Sequence, residues 1–256
     1  MNAIEIKNLT KSFRGMYALD HLNMTVPVGA IYGFIGENGS GKSTTEKLIC
    51  GHLVPDEGEI KLFGRDYNDA GVRVRVGALI ENAGCFPGSS VWSNLVMQAI
   101  NLGIENREAE INRVLKIVRM QDSAHIKFKA CSLGMKQRIG IAMALLGNPA
   151  LLILDEPING LDTDGMRIMR EILVDITSNY GCTVLISSHI LGELEKIATH
   201  YGIIRQGKMI QELSAKDMEK RARVFVSLKT KDMAGALRVL LSKYDNVRKE
   251  EDYIRI

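Results

Sequence analysis

The chain has 256 residues, of which 46% are hydrophobic and 25% charged, with a net charge of +3 and a sequence pI near 8.6. This composition supplies a sizeable core and excludes an intrinsically disordered chain. The charge is too mild for a nucleic-acid-binding protein, so no nucleic-acid partner is expected.

The opening residues, MNAIEIKNLTKSF, lack the apolar stretch of a signal peptide. Residues 3–7 and 21–26 alternate apolar and polar, as half-buried strands do. Residues 30–35 form an apolar run that stops at a glycine-rich turn, and a helical pattern follows from Lys42 to about Cys50. The spacing then predicts a strand at 76–80, helices at 90–102, 107–120 and 133–146, and a buried strand at 151–154. A helix at 165–179, a buried strand at 183–187 and a helix at 190–200 follow. Strands alternating with helices predict an α/β fold with parallel strands in the core of its sheet. After Ser214 the composition changes, and a strand at 223–229, a helix at 232–243 and a strand at 253–256 predict a small appendage. The longest apolar run, 150–154, ends at Asp155, far short of the ~18 residues of a membrane-spanning helix. Cys50, Cys85, Cys131 and Cys182 are scattered without a C-x-x-C pair, as reduced cytosolic thiols would be.

Two motifs carry chemistry directly. The residues Gly36-Glu37-Asn38-Gly39-Ser40-Gly41-Lys42-Ser43 fit G-x-x-x-x-G-K-[ST], between a predicted strand and a predicted helix. Small residues there let backbone N–H groups wrap a triphosphate, and the helix start adds partial positive charge. Lys42 can reach the β- and γ-phosphate oxygens, and Ser43 can offer its hydroxyl to Mg²⁺. The expected nucleotide-binding stretch runs on to Thr44. The second motif is Asp155-Glu156 at the end of the apolar strand 151–154. Ligands collect at the carboxyl ends of strands in open α/β sheets. Asp155 is therefore a candidate Mg²⁺ ligand, through a water, and Glu156 a candidate to polarise an attacking water.

With Ser132-Leu133-Gly134-Met135-Lys136-Gln137-Arg138 upstream of Asp155-Glu156-Pro157, then Gly160-Leu161-Asp162 and His189, the chain resembles the nucleotide-binding domains of ABC transporters. The resemblance runs from about Ala3 to Leu213. It implies a P-loop ATPase with a helical subdomain at about 82–146, an ATP-binding domain over 1–214 and a small C-terminal α/β extension over 215–256. It implies ATP and Mg²⁺ as cofactors, separate transmembrane permease subunits, and a second ATP-binding domain as dimer partner, identical or not. The site would be at the cytoplasmic face of a membrane, held peripherally. Residues 131–135 match a signature that usually reads L-S-G-G-Q, so Ser132 and Gly134 would bind the γ-phosphate held by the opposite protomer. Leu133 and Met135 depart from that pattern. Asp162 matches the residue linking the two sites across the dimer, and His189 the switch histidine on the γ-phosphate. Phe13 matches the aromatic on which adenine stacks, with Tyr17 as the alternative.

Most such domains carry a glutamine where this chain has Glu81, after the predicted strand 76–80. A carboxylate can also serve Mg²⁺ as a hard oxygen ligand, but adds charge. Glu81, together with Ser-Leu-Gly-Met-Lys-Gln, looks like the bacitracin-transport and lantibiotic-immunity type of ABC ATPase. That resemblance implies export that protects against envelope-active peptides. The alternatives are the ATPase of another exporter, or an ABC ATPase acting on nucleic acid without transport.

Overall fold

Strand β1 (Asn2–Phe13) and strand β2 (Met16–Pro27) form one long hairpin. Its tip is the pair Arg14-Gly15, with φ of 51° and 82°, the left-handed pair that two-residue hairpin turns require. The half-buried strands expected at 3–7 and 21–26 are the inner parts of this hairpin. A computed structural model of the chain describes residues 1–221, 227–244, 247–249 and 253–255.

The remaining elements in chain order are β3 (Ile31–Ile35), α1 (Lys42–Ile49), β4 (Glu57–Leu62), β5 (Arg65–Asp66), α2 (Ala70–Arg73) and β6 (Val76–Leu79). Then come α3 (Val91–Asn101), α4 (Arg107–Ile117), α5 (Leu133–Leu145), β7 (Leu151–Leu154), α6 (Thr163–Tyr180) and β8 (Thr183–Ser188). The chain continues with α7 (Leu191–Leu194), β9 (His200–Arg205), β10 (Lys208–Ser214) and α8 (Ala215–Arg221). It closes with β11 (Ser227–Leu228), α9 (Met233–Leu241), β12 (Arg248–Lys249) and β13 (Ile254–Arg255). The chain divides into two units, Met1–Ala215 and Lys216–Ile256.

In the larger unit a four-stranded antiparallel sheet, β2-β1-β4-β5, accompanies a six-stranded sheet, β10-β9-β3-β8-β7-β6. The latter is parallel except at β10, which pairs antiparallel with β9. Strands β3, β7 and β8 are buried throughout, and their continuous apolar runs are what a sheet covered on both faces selects. One core joins Ile4, Ile6 and Leu22 of the antiparallel sheet to Phe34, Ile153 and Leu185 of the parallel one, with Leu48 of α1 beside them. Each such side chain, fully buried, contributes about 1.5–3 kcal/mol. Helix α5 comes close to β6: a Cβ on Gly77 would collide with the Ala144 carbonyl.

Two sequence expectations are corrected. The helix expected over 190–200 is confined to α7, and His200 opens β9, paired with Tyr32 of β3. Strands β4, β5, β9 and β10 and helix α2 were not expected, and the helix at 107–120 ends at Ile117. In the smaller unit, β11-β13-β12 forms a three-stranded sheet and Asp232 caps α9 by accepting from the Gly235 N–H. Of the strands expected at 223–229 and 253–256, residues 223–226 and 256 lie outside the described residues.

Candidate functional site

Sheet order decides what meets at the site. Because β3, β8, β7 and β6 are parallel neighbours in that order, their carboxyl ends line one edge. The loop 36–41 follows β3, His189 follows β8, Asp155-Glu156 follows β7, and Glu81 follows β6 within two residues. A cleft of ≈ 410 Å³ opens there, lined by Asn38, Gly39, Gly41, Lys42, Ser43, Thr44, Glu81, Asp155 and Glu156, together with Ala18, Gln137 and Asn159. Gly36, Glu37 and Ser40 belong to the same loop but are not among its lining residues.

The loop needs its glycines. Gly41 has φ 111°, and a Cβ there would stand 2.7 Å from the Ala18 carbonyl oxygen. Helix α1 starts immediately afterwards, with no side-chain cap and no acidic residue in its first turn. Its first N–H groups and its dipole are therefore available to an anion. Lys42 is buried, and its Nζ donates to the carbonyls of Gly36 (2.7 Å) and Glu37 (3.2 Å). The same Nζ lies 3.6 Å from Glu156 Oε1.

Ser187 organises the acidic pair. Its hydroxyl donates to Asp155 Oδ1 at 2.8 Å and accepts from the Glu156 N–H at 3.1 Å. Glu156 Oε2 accepts from Asn159 Nδ2 at 3.0 Å and lies 3.0 Å from His189 Nδ1. Glu156 holds φ at 45° and Glu81 at 63°, left-handed conformations that non-glycine residues seldom adopt. Two of the three carboxylates lining the cleft thus sit on constrained backbone. Glu81 Oε1 accepts from Lys47 Nζ at 2.6 Å, and this contact holds its carboxyl below the usual range. Behind the cleft, Glu46 is buried beside Ser187 and Asp155, and among the described residues neither carboxyl oxygen meets a partner at full hydrogen-bond geometry. Burial, with the charge of nearby Asp155 adding to it, pushes its acid well above the ordinary range.

The arrangement fits a magnesium–triphosphate. Ser43, Asp155 and Glu81 all line the cleft and carry hard oxygen donors. Among the described residues no group of three or more His, Cys, Asp or Glu side chains could hold an ion alone. Mg²⁺ is commonly held by one or two carboxylates plus substrate phosphates, and a partial donor set of this kind suits it.

The remaining sequence candidates lie elsewhere. Ser132 caps α5, its Oγ accepting from the Met135 N–H at 3.3 Å. Asp162 caps α6, accepting from the Gly165 N–H at 2.8 Å. Ser132, Gly134 and Asp162 line a second cleft of ≈ 360 Å³, together with Leu133, Arg138 and Gly160. Phe13 stands at the hairpin tip, 45% exposed, beside the still more exposed Met16 and Tyr17; none of the three lines the first cleft, although Ala18 does. Sequence reasoning missed Ser187, Asn159, Gln137, Lys47 and Glu46. A serine ending an apolar strand just before His189 was the available signal for Ser187.

Residues 19–159 match the family described as ABC transporter. The chain is 38% identical to the bacitracin transport ATP-binding protein BcrA of Bacillus licheniformis, over 94% of this chain and 79% of that protein. It is 40% identical to the lantibiotic transport ATP-binding protein SrtF of Streptococcus pyogenes, over 82% of this chain and 90% of that one. A solved structure of an ATP-binding subunit of an ABC transporter superimposes with a TM-score of 0.74 at 27% identity, covering 86% of this chain and 92% of that one.

Proposed function

We propose, from the premise that this chain belongs to the ATP-binding subunits of ABC transporters, that it hydrolyses ATP to drive an exporter protecting against envelope-active peptides. The observation that carries the hydrolytic reading is the cluster at the strand ends: Lys42 Nζ 3.6 Å from Glu156, and Glu156 3.0 Å from His189. The glycine-rich loop binds the phosphates through its N–H groups, and Lys42 places its charge on the β- and γ-phosphates. Ser43, Asp155 and Glu81 would hold Mg²⁺, which neutralises phosphate charge. Glu156 orients a water and accepts its proton as the water oxygen bonds to the γ-phosphorus and the bond to the ADP oxygen breaks. His189 positions the Glu156 carboxylate and reaches the γ-phosphate.

Phe13 receives the adenine. Ser132 and Gly134 close on the γ-phosphate of a second ATP-binding domain, and Asp162 links the two sites. What supports this pairing is that one chain carries both clefts on different elements. Separate permease subunits supply the path through the membrane, and the chain sits peripherally on the cytoplasmic face. Among the described residues no helix is long and apolar enough to cross a membrane. The peptide reading rests on the two transport relatives and on Glu81. It is tested by expressing the chain with its membrane subunits and challenging cells with bacitracin or a lantibiotic. Protection that Lys42→Ala abolishes is expected; sensitivity identical with and without the intact chain would overturn the peptide assignment.

A further inference from the structure

The hairpin tip carries a device that the reading above does not use. Lys11 lies two residues before Phe13 on β1, on the same side of the strand by the two-residue repeat. Its ammonium sits over the Phe13 ring, 5.6 Å from the centroid. The long side chain is not free to wander: it is only 16% exposed, and Nζ donates to Asp56 Oδ1 at 2.6 Å. Asp56 is itself fixed. Its Oδ2 accepts from the Ser12 N–H at 2.7 Å and the Ser12 hydroxyl at 2.8 Å, and its own N–H donates to the Thr10 carbonyl at 3.0 Å. The Lys11 ammonium, with the two Ser12 donors, holds the Asp56 carboxyl down at about 2, so it stays ionised at any working pH. The segment leading into β4 therefore clamps residues 10–12 and plants a cation against one face of the ring. With that face covered, Phe13 remains 45% exposed.

We propose that Lys11, held by Asp56, is a positioning residue for the nucleobase, acting through Phe13. The proposal rests on Phe13 being the adenine platform. A cation against one face draws ring electron density toward itself and lowers the negative potential of the opposite face. A purine then stacks on that opposite face against less repulsion. The clamp also fixes the ring before the base arrives, so less side-chain freedom is lost on binding. Asp56 balances the lysine charge at 2.6 Å, so what the ammonium presents to Phe13 is a local field.

The test is calorimetric titration of the full chain, with Mg²⁺, by ATP and by inorganic tripolyphosphate, which has no base. Lys11→Met should weaken ATP about two- to fivefold, the range for an exposed cation–π contact, and leave tripolyphosphate unchanged. Lys11→Arg should restore ATP affinity, because a guanidinium stacks on an aromatic face as well. Asp56→Asn, which loosens the clamp without removing the cation, should fall between the two. Phe13→Ala, measured in parallel, should lose at least as much ATP affinity as Lys11→Met. Should Lys11→Met fold poorly by thermal unfolding, Lys11→Gln carries the same comparison. Equal weakening of both ligands by Lys11→Met would mean that the lysine acts on phosphate charge, and unchanged ATP affinity would mean that it does not act at all; either overturns the proposal. If Phe13→Ala costs ATP affinity and Lys11→Met does not, the lysine proposal falls alone. If Phe13→Ala costs nothing, the platform reading falls, and the lysine proposal with it.

Discussion

The two clefts of the larger unit are built on opposite plans. The first gathers Lys42, Asp155, Glu156 and Glu81 where four parallel strands end, with Lys42 near Glu156 and Lys47 paired to Glu81. The second is built from the starts of α5 and α6, with Ser132 and Asp162 already serving as caps to their own helices. Its rim includes Leu133, 48% exposed, where the usual signature has glycine. A cleft with a lysine, a helix start and an excess of carboxylate has the groups to take a magnesium–phosphate and to polarise a water. The second cleft is lined by Ser132, Gly134, Arg138 and two aspartates, Asp162 and Asp164. The head-to-tail pairing proposed above would bring one cleft of each kind to every ATP.

The sharpest way to break this contrast is to disable one group of the charged cleft. Glu156→Gln keeps a hydrogen-bonding side chain but cannot accept a proton. Turnover should fall by about 100-fold or more while ATP still binds; steady-state hydrolysis beside equilibrium ATP binding checks it, and near-normal turnover would remove Glu156 from its role. Lys42→Ala should weaken ATP itself by about 10- to 150-fold, the range for a charge-assisted contact. Calorimetry reads this directly, and unchanged affinity would contradict the phosphate cradle.

Glu81 offers a finer cut, because it is shared between the cleft and Lys47. Glu81→Gln keeps one oxygen and should retain most of the ATPase rate, whereas Glu81→Ala should lose several-fold more. Lys47→Met frees the carboxylate from its exposed ion pair, so apparent Mg²⁺ affinity should rise. Mn²⁺ binding followed by electron paramagnetic resonance, in the presence of ATP, reads that change without relying on turnover. No rise would leave Glu81 as a surface carboxylate.

Glu46 tests the packing behind the cleft. Its acid is raised in the folded chain, so the folded state holds a proton that the unfolded state releases as pH rises. The contribution of Glu46 to stability is therefore fully present below the ordinary glutamate pKa and is lost as pH climbs toward the raised value. Glu46→Gln removes this dependence. The variant should gain on the wild type as pH rises from about 5 to about 8, by up to about 1.4 kcal/mol per pH unit. Denaturant midpoints across that range check it, and parallel curves for the two proteins would mean that Glu46 titrates normally in the folded chain.

Much of this was legible in the sequence, and the gaps have physical causes. The loop 36–43 and the Asp155-Glu156 pair are short segments whose chemistry depends on neighbours in sequence, so they read directly. The α/β class, too, follows from alternating patterns along the chain. By contrast, 190–200 has helical spacing, with Leu191, Leu194 and Ala198, yet His200 joins β9 because pairing with Tyr32 of β3 overrides local preference. Strand β4 begins as Glu57-Gly58-Glu59 and reads as a polar turn, because it lies in the four-stranded sheet with only Ile60 and Leu62 turned inward. In the site, the Lys47–Glu81 pair joins residues 34 apart, and Ser187 bonds Asp155 across 32. Such partners are fixed by sheet order, which periodicity does not specify. Glu46 reads as the polar face of a helix, and only the packing of α1 shows that it is buried.

The central claim is that ATP is held between the charged cleft of one copy and the Ser132 cleft of another. The most direct measurement is the mass in solution, by light scattering after size exclusion, of Glu156→Gln with ATP and Mg²⁺, beside Glu156→Gln/Ser132→Arg. The first should be a dimer that reverts to monomer when ATP is omitted. The second should be a monomer even in saturating ATP, with its ATP affinity in the monomeric state unchanged. A Glu156→Gln chain that binds ATP and stays monomeric, or a dimer indifferent to Ser132→Arg, would contradict the claim.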